Sequence, residues 1–297
     1  MSSPRRLAVL LLCAGCASGG APAPHPAAPA PAPPPATSTP SPGIDPARVE
    51  PARDLAVRYP RSGGGIARYA FARHDSIIAT MPAGDQQVQI LGRTAFVTIT
   101  WVANDTGARV TAVVDSVVPD SGLLNTLPMV DSARGSRWTG FRRLSGQVVD
   151  LAGGPHSLVG DQVRDQLRLL FPLLPPDGAR PGASWSDSTS APGRVSAFEA
   201  TETARVTSRA ERLVTSSGAL PLIVIRSRSA VGEGTQFGQP MNLKASGSDS
   251  LAYQIAPDGR VLGVEGVRLT ELVVDLPSIG QSVPARERSL LRMTLLP

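Results

Sequence analysis

Cysteine is almost absent from this chain of 297 residues, and its two copies, Cys13 and Cys16, both lie near the N-terminus. Everything after residue 16 therefore lacks a thiol, which excludes a disulfide framework and any cysteine-ligated metal from the folded part. Histidine is also scarce. Apart from His25 in a proline-rich stretch, only His74 and His156 occur, whereas a zinc site needs three or four ligands at characteristic spacings. We predict no metal and no cofactor.

Lysine and aromatic residues are rare as well. Lys244 is the one lysine, so arginines carry the net charge of +5, and aromatic residues make up only 4% of the chain. Nucleic-acid-binding proteins combine clustered basic residues with aromatic side chains, whereas the arginines here are scattered. We predict no nucleic-acid partner. Arg205, Arg209 and Arg212, or Arg286 and Arg288, could touch anionic envelope lipid, but solvated strand and loop positions are the usual place for arginine.

The N-terminus carries a short apolar run at residues 7–12, directly after two arginines. Such a run is far shorter than the roughly 20 residues that span a bilayer, so the pattern is typical of a secretion signal. Ala14 and Gly15 then precede Cys16, an arrangement that resembles a bacterial lipobox, with Cys13 where an aliphatic residue is usual.

The lipobox resemblance implies that residues 1–15 are a signal peptide, that cleavage occurs before Cys16, and that its thiol is acylated. Two or three acyl chains anchor a protein stably where one binds only marginally. We therefore expect a secreted, lipid-anchored protein of the outer membrane, facing the periplasm or the cell exterior. The alternative is that both cysteines are ordinary apolar residues of the leader.

Composition divides the rest of the chain into three parts. Residues 16–43 comprise the acylated cysteine and a Pro/Ala-rich tether, which cannot bury enough apolar surface to fold and favours polyproline II. Residues 44–65 form a transition segment. Residues 66–297, roughly 230 in number, suit one β-rich domain with a substantial core, built of halves at about 66–156 and 182–297.

Most of this domain shows the alternation of apolar and polar residues that predicts β-strands. In the stretch 94–102, Ala95, Val97, Ile99 and Trp101 face one way. Turn-forming residues separate this strand from others, predicted at 66–79, 109–118, 138–144, 147–151, 196–214, 220–231, 236–246, 251–256, 260–275 and 285–296. The fold class that follows is mainly β: an antiparallel sheet or half-barrel with one central helix packed on it.

Two short patterns recur in the same order, which suggests a duplicated β-half. The sequence Thr-Ala-Phe-Val-Thr at 94–98 is echoed by Thr-Ala-Arg-Val-Thr at 203–207, and the glycine hairpin at Gly146 is echoed at Gly259. Short glycine hairpins also recur by chance in β-proteins, so duplication and coincidence both stay open.

The one convincing helix is predicted at residues 157–171. Val159, Val163, Leu167 and Leu170 fall on one side of a 3.6-residue repeat, while the polar and charged residues between them occupy the other side. These four residues are the candidate contacts for an apolar ligand held between helix and sheet. The alternative is a helix that simply closes the β-core, as an apolar stripe of this kind usually does.

The exit from this helix resembles uncharacterised bacterial lipoprotein families. The sequence FPLLP at 171–175, followed by PGASW at 181–185, is similar to a fPxLP…GxxW stretch that precedes a second β-half in those families. More distantly, long antiparallel strands wrapped on a helix are similar to the half-barrel fold of envelope lipoprotein carriers. That resemblance implies an apolar cavity between sheet and helix, and it assigns no binding residues.

Two stretches contain residue types that hydrolases use. His74 is followed by an aspartate and a serine, but neighbours on a strand point to opposite faces, which prevents a catalytic triad. Asp105 begins an Asp-Thr-Gly tripeptide that resembles the aspartic-protease motif, and Asp120 begins a similar one. Such aspartates work as a pair that shares one proton. The residues 104–107 are also a natural hairpin turn between two predicted strands.

The function predicted from the sequence is a non-catalytic binding or interaction module of the cell envelope. Its membrane contact is the lipid on Cys16, and its partner is an apolar ligand or another envelope protein. The alternative in a different class is a hydrolase, aspartic-protease-like or of the serine type, that uses Asp105 or His74. A purely structural domain with a filled core is a third possibility.

Overall fold

The computed structural model describes residues 47–52, 54–81, 84–120, 133–154, 157–195, 198–236 and 239–297. Residues Asp45–Pro297 form one compact unit. The described elements, in chain order, are β1 (Arg48–Val49), β2 (Gly63–Thr80), β3 (Gln86–Asn104), β4 (Gly107–Pro119), β5 (Arg137–Arg143), β6 (Val148–Gly153), α1 (Leu158–Leu170), β7 (Ser184–Val195), β8 (Phe198–Ala210), β9 (Val214–Thr215), β10 (Leu220–Gln236), β11 (Gln239–Ile255), β12 (Val261–Leu276), a 3-10 turn (Pro277–Ile279) and β13 (Gln281–Leu295).

Eleven of these strands form one antiparallel sheet in the order β6-β5-β4-β3-β2-β13-β12-β11-β10-β8-β7, and β1 pairs separately with β9. Strands β2 to β6 run from the middle of the sheet to one edge, and β7 to β13 run from the other edge back to the middle. The two edge strands, β6 and β7, do not pair with each other, so the sheet is open. The predicted fold class, an antiparallel sheet or half-barrel with a helix packed on it, is confirmed.

β11 illustrates why these segments form strands with one buried face. Met241, Leu243 and Ala245 are 2%, 1% and 7% exposed, whereas Asn242 and Lys244 between them are exposed. Alternate residues of a strand point to opposite sides, so the apolar ones share one face of the sheet. Tyr253 lies on that same face and contacts α1. We call this the inner face; the opposite, outer face is polar along most of β11.

The same glycine turn closes several hairpins. Gly146 between β5 and β6, and Gly259 between β11 and β12, each donate a backbone hydrogen bond of 2.9 Å to the carbonyl three residues earlier. Both have positive φ, which glycine adopts without strain. Gly218, before β10, makes the same turn with the same distance. Because the turn also occurs outside the predicted repeat, the glycine correspondence gives no separate support to a duplication.

α1 begins and ends where the sequence predicts. The Ser157 hydroxyl accepts a hydrogen bond of 3.1 Å from the Gly160 backbone N–H, so it caps the first turn. The helix ends at Leu170, before Pro172, which lacks the N–H that another turn would need.

The helix lies across the strands of the inner face. Near its start, Gln162 contacts Asp75 of β2, and near its end the Leu169 carbonyl accepts from Tyr253 of β11. Gln162 and Leu169 are about 10 Å apart along the helix axis. The three strand spacings from β2 to β11 amount to roughly 14 Å, which is a similar distance. The helix therefore bridges the two halves of the sheet instead of running along one strand.

The segment before β2 is packed into the fold. β1 pairs with β9, Val57 bridges to Ala179, and the Tyr59 hydroxyl donates to the Pro172 carbonyl at 2.8 Å. β2 begins at Gly63, a few residues before the predicted start. These contacts tie β1 to β9, and they tie Val57 and Tyr59 to the chain that leaves α1.

The two longest stretches of strand that were not predicted are β7, at Ser184–Val195, and the start of β3, which begins at Gln86 rather than at residue 94. Val88 and Ile90 give the start of β3 a local signal, whereas β7 contains proline and glycine, which are depleted in strands. β7 nevertheless pairs with β8 along its whole length, which shows that non-local pairing outweighs propensity here.

Candidate functional site

A row of charged side chains crosses the inner face directly beneath α1. The strand register places Asp75 beside Ser289, Ser289 beside Arg268, Arg268 beside Asp249, and Asp249 beside Arg226. All five side chains are mostly or fully buried. Buried charge is costly unless it is paired, so each member of the row needs a partner. We refer to these residues and their ion-pair partners Arg73, Glu202, Arg228 and Glu287 as the charged row.

The β2 end of the row is centred on Arg73. Its guanidinium lies 2.7 Å from Asp75 and 2.6 Å from Glu287, and the Gln162 amide of α1 donates to Asp75 at 2.8 Å. Burial alone would lower the pKa of Arg73, but the two carboxylates raise it above its usual value. The arginine therefore stays charged and fixes the position of Asp75 under the helix.

The β11 end of the row has three arginines around one carboxylate. Asp249 is 0% exposed and lies 3.0 Å from Arg268, 3.3 Å from Arg228 and 3.5 Å from Arg226. Burial alone would raise the pKa of Asp249, but the three guanidinium groups lower it below its usual value. Glu202 supplies further negative charge, 3.4 Å from Arg226.

Arg93 of β3 is a buried cation that binds amides instead of a carboxylate. It is 4% exposed, and it donates to the side-chain oxygens of Gln162 and Gln166 at 3.1 and 3.2 Å. Its Nη1 is buried without a hydrogen-bond partner. Burial and the nearby Arg73 lower the pKa of Arg93 to about 9. At neutral pH the guanidinium is still charged, so this contact stabilises the docked helix only weakly.

Much of the polar side of α1 is buried as well, because these contacts place it against the sheet. Gln162 and Gln166 are 8% and 0% exposed, and Asp161 is 9% exposed. Asp165 lies 3.8 Å from Arg268 of the charged row. The helical repeat separates the apolar side of the helix from the polar side correctly. It does not show that the sheet contains polar side chains that bind the polar side.

A cavity lies between the C-terminal half of α1 and the sheet. Its volume is about 100 Å³, and it is lined by both edge strands of the open sheet, through Val148 of β6 and Thr189 of β7. The sheet therefore curls far enough for its two edges to approach the same space. We call this space the seam cavity.

The walls of the seam cavity are more apolar than polar, and charged side chains line it from the helix, Asp165 and Arg168, as well as from the sheet. Val206, Val224 and Leu169 are core residues, 2% to 4% exposed, that line it together with the chain leaving α1. Arg226 and Glu202, which belong to the charged row, line it as well. An apolar pocket with a few polar groups is the usual form of a small-molecule site.

Phe171, at the end of α1, separates the seam cavity from a smaller one of about 30 Å³ and lines both. Its ring packs edge-on against Tyr59 with centroids 6.2 Å apart. The Arg142 guanidinium lies over both rings, 4.0 Å from the Tyr59 centroid and 5.4 Å from that of Phe171. These cation–π contacts hold the aromatic partition in place.

The four helix residues predicted to contact a ligand lie in the filled core. Val159, Val163, Leu167 and Leu170 are 5%, 0%, 2% and 0% exposed and belong to the main hydrophobic cluster. The two cavities described above are lined by other residues of the helix and its exit, such as Leu169 and Phe171.

Asp105 and Asp120, the two aspartates weighed for the hydrolase alternative, are not brought together. Asp105 is exposed in the β3–β4 turn, where Asn104 Oδ1 accepts from the Thr106 and Gly107 backbone N–H groups. Asp120 follows the far end of β4, roughly 40 Å away along an extended strand. Two aspartates so far apart cannot share a proton.

His74 lies on the outer face, away from its neighbour Asp75 on the inner face, as strand alternation predicts. Its side chain is 47% exposed, and its Nδ1 lies 3.4 Å from Asp120 Oδ2. His156 and the lipidation site Cys16 lie outside the described residues. Within the described ranges, no group of three or more histidine, cysteine, aspartate or glutamate side chains is arranged to hold a metal ion.

Sequence reasoning missed the charged row, although the alternation contains a signal for it. In β11, the inner positions Leu243, Ala245, Leu251 and Tyr253 are apolar or aromatic, and Asp249 falls in the same register. A charged residue at an inner position of a strand predicts a buried partner on the neighbouring strand.

No helix within the described ranges is long and apolar enough to cross a membrane. Comparison with known proteins gives no relative: no family model matches the chain, and no curated protein matches it.

Proposed function

We propose that this protein is a lipid-anchored component of the cell envelope that binds an apolar ligand without chemically changing it. The observation that carries the proposal is the seam cavity, which lies between α1 and the sheet and whose apolar lining includes Val206, Val224 and Leu169. Its two walls at the open edge, Val148 and Thr189, belong to strands that do not pair with each other. A ligand entering there breaks no strand pairing.

The size of the cavity limits what it can hold. An apolar cavity of roughly 150 Å³ accepts benzene, so a volume of about 100 Å³ suits the end of an acyl chain or a small apolar group. The rest of a longer ligand would extend through the gap between β6 and β7. Arg226 and Glu202 would meet any polar group that the ligand carries at that side.

The anchor rests on the sequence of the N-terminus. The lipobox-like residues before Cys16 support acylation, and the Pro/Ala-rich stretch to residue 43 supports an extended tether. Some 22 residues of polyproline II would reach roughly 70 Å. Such a tether lets the domain work at a distance from the membrane that holds it.

The test uses residues 45–297, which form one compact unit. Mass spectrometry of the purified protein should detect co-purifying lipid in stoichiometric amount, and dodecanoic acid should displace a bound polarity-sensitive dye. Thr189→Phe and Val148→Phe each place a ring in the seam cavity from one edge. We expect either change to weaken dye binding by about tenfold or more, the equivalent of about 1.4 kcal/mol.

Ser188→Phe is the matched control, because this exposed residue precedes Thr189 on the same edge strand and points to the outer face. It should leave dye binding unchanged. Equal binding by Thr189→Phe and Ser188→Phe would contradict the proposed site. Absence of both lipid and dye binding would contradict the proposed function and favour a purely structural domain.

The same assay separates a binding module from a hydrolase. His74→Ala and Asp105→Ala change exposed side chains far from the seam cavity, so they should leave ligand binding and the cellular phenotype intact. Loss of the phenotype in either variant, with ligand binding retained, would favour the hydrolase alternative.

A further inference from the structure

The chain enters the described fold beside an exposed cleft. The first described residue is Ala47, and β1 follows at once with Arg48 and Val49. Val49 pairs with Val214 of β9. Val49 is 44% exposed, and Leu213, which precedes β9, is 37% exposed. Two apolar side chains are therefore presented to solvent close to the point where the tether begins.

Arginines surround Leu213 in this cleft. The cleft has a volume of about 630 Å³ and is lined by Leu213, Arg48, Arg209 and Arg212 together with Glu50 and Glu211. Arg209 pairs with Glu211 at 3.4 Å, with both side chains well exposed. The ionisable side chains that line the cleft thus have an excess of one positive charge. We call Arg48, Arg209, Arg212 and Leu213 the entry patch.

A neighbouring turn adds to the positive charge. Arg180 is exposed on this turn, and Gly182 of the same turn donates a hydrogen bond of 3.0 Å to the Glu211 carbonyl. The patch and this turn therefore combine several cations with the exposed Leu213 on one side of the domain, which is a composition that suits the boundary between lipid headgroups and water.

We infer that the entry patch docks on the anionic headgroup surface of a membrane. The arginines pair with lipid phosphates, while Leu213 enters the headgroup boundary. In the cell this contact rests on the proposed lipid anchor, but the patch itself can be tested without the anchor. Docking would turn the domain so that its entry side faces the membrane.

Because the tether keeps the domain near the membrane, a small patch is sufficient for docking. A domain held by a flexible or extended linker meets the membrane at an effective concentration in the millimolar range, so even a weak contact is populated. Attraction to an anionic surface acts only within a Debye length, about 8 Å at physiological salt. The contact therefore orients the domain without adding much to the strength of anchoring.

The experiment measures vesicle binding by residues 45–297, which lack the anchor and contain the described core. Sedimentation compares phosphatidylcholine vesicles with vesicles that also contain phosphatidylglycerol, at low and at raised salt. We expect binding to the anionic vesicles alone, reversed by salt. Hydrogen exchange should slow in residues 47–50 and 209–215 when those vesicles are present.

Matched charge changes locate the contact. Arg209→Glu with Arg212→Glu should lower partition onto anionic vesicles by roughly thirtyfold, since each lost basic residue accounts for about fivefold. Arg286→Glu with Arg288→Glu makes the same change in net charge at exposed positions of β13 and should preserve most of the binding. Leu213→Ser should weaken binding while leaving its salt dependence unchanged.

Three outcomes would overturn the inference. Equal binding to neutral and anionic vesicles would remove the role of the arginines. Equal losses in the two double variants would show a response to net charge rather than to the patch. If hydrogen exchange in residues 209–215 slows as the protein concentration rises, whether or not lipid is present, then the patch binds a second copy of the chain. None of these results bears on dye binding in the seam cavity, so the proposed function is judged separately.

Discussion

At the scale of single residues, Asp249 is the position on which the charged row depends. Three arginines surround it, and no other carboxylate lies as deep in this part of the sheet. Removing its charge would leave Arg268 and Arg228 buried with less compensation. Removing Arg226 is different, because Asp249 keeps its two closer partners.

We therefore expect very different costs from two changes that each remove one charge. Asp249→Asn should lower the free energy of unfolding by about 3–5 kcal/mol, as breaking a buried ion pair does. Arg226→Gln should cost about 1 kcal/mol or less, because Arg226 is the partly exposed and most distant of the three partners. Urea unfolding at neutral pH measures both. Similar costs for the two variants would show that the arginines act independently of Asp249.

At the scale of elements, α1 was the most predictable part of the chain. Ser157 caps it, Pro172 ends it and Val163 lies at the centre of its apolar side, and all three signals are local in sequence. Its docking was not predictable in the same way. Gln166 is fully buried because Arg93, from a strand far away in sequence, lies opposite it, and no local pattern contains that information.

The element that closes α1 also gives a functional prediction. Phe171 separates the seam cavity, about 100 Å³, from its neighbour of about 30 Å³. Phe171→Ala should join the two spaces and favour longer acyl chains in the dye-displacement assay. It should also lower the free energy of unfolding by about 2–3 kcal/mol, less than the 3–5 kcal/mol typical of a fully buried phenylalanine, because the ring is half-buried.

Phe171→Leu is the control for this prediction, since leucine keeps an apolar partition at the same place. Its preference for chain length should match that of the unmodified protein. If Phe171→Ala loses stability without any change in the preferred ligand length, the two cavities do not act as one binding space.

At the scale of the whole molecule, the strand pattern predicted the class of fold but not which distant strands pair with or approach each other. Alternation at Ala95, Val97 and Ile99 identifies a strand with one buried face. It does not identify β13 as the strand that joins the two halves, because that pairing connects residues more than two hundred positions apart. The approach of β6 and β7 at the seam cavity is equally non-local, so the candidate site could not be located from the sequence.

The placement of the molecule in the cell depends on one atom, the sulfur of Cys16. If the lipobox interpretation is right, Cys16→Ser should abolish incorporation of labelled palmitate in a bacterial host and block cleavage before residue 16. Cys13→Ser should preserve both, because Cys13 is removed with the leader. Labelling that persists in Cys16→Ser, or an intact and unacylated chain in the soluble interior of the cell, would contradict the anchor. In that case the seam cavity would remain a candidate ligand site, but the entry patch would lose the tether that brings it to a membrane.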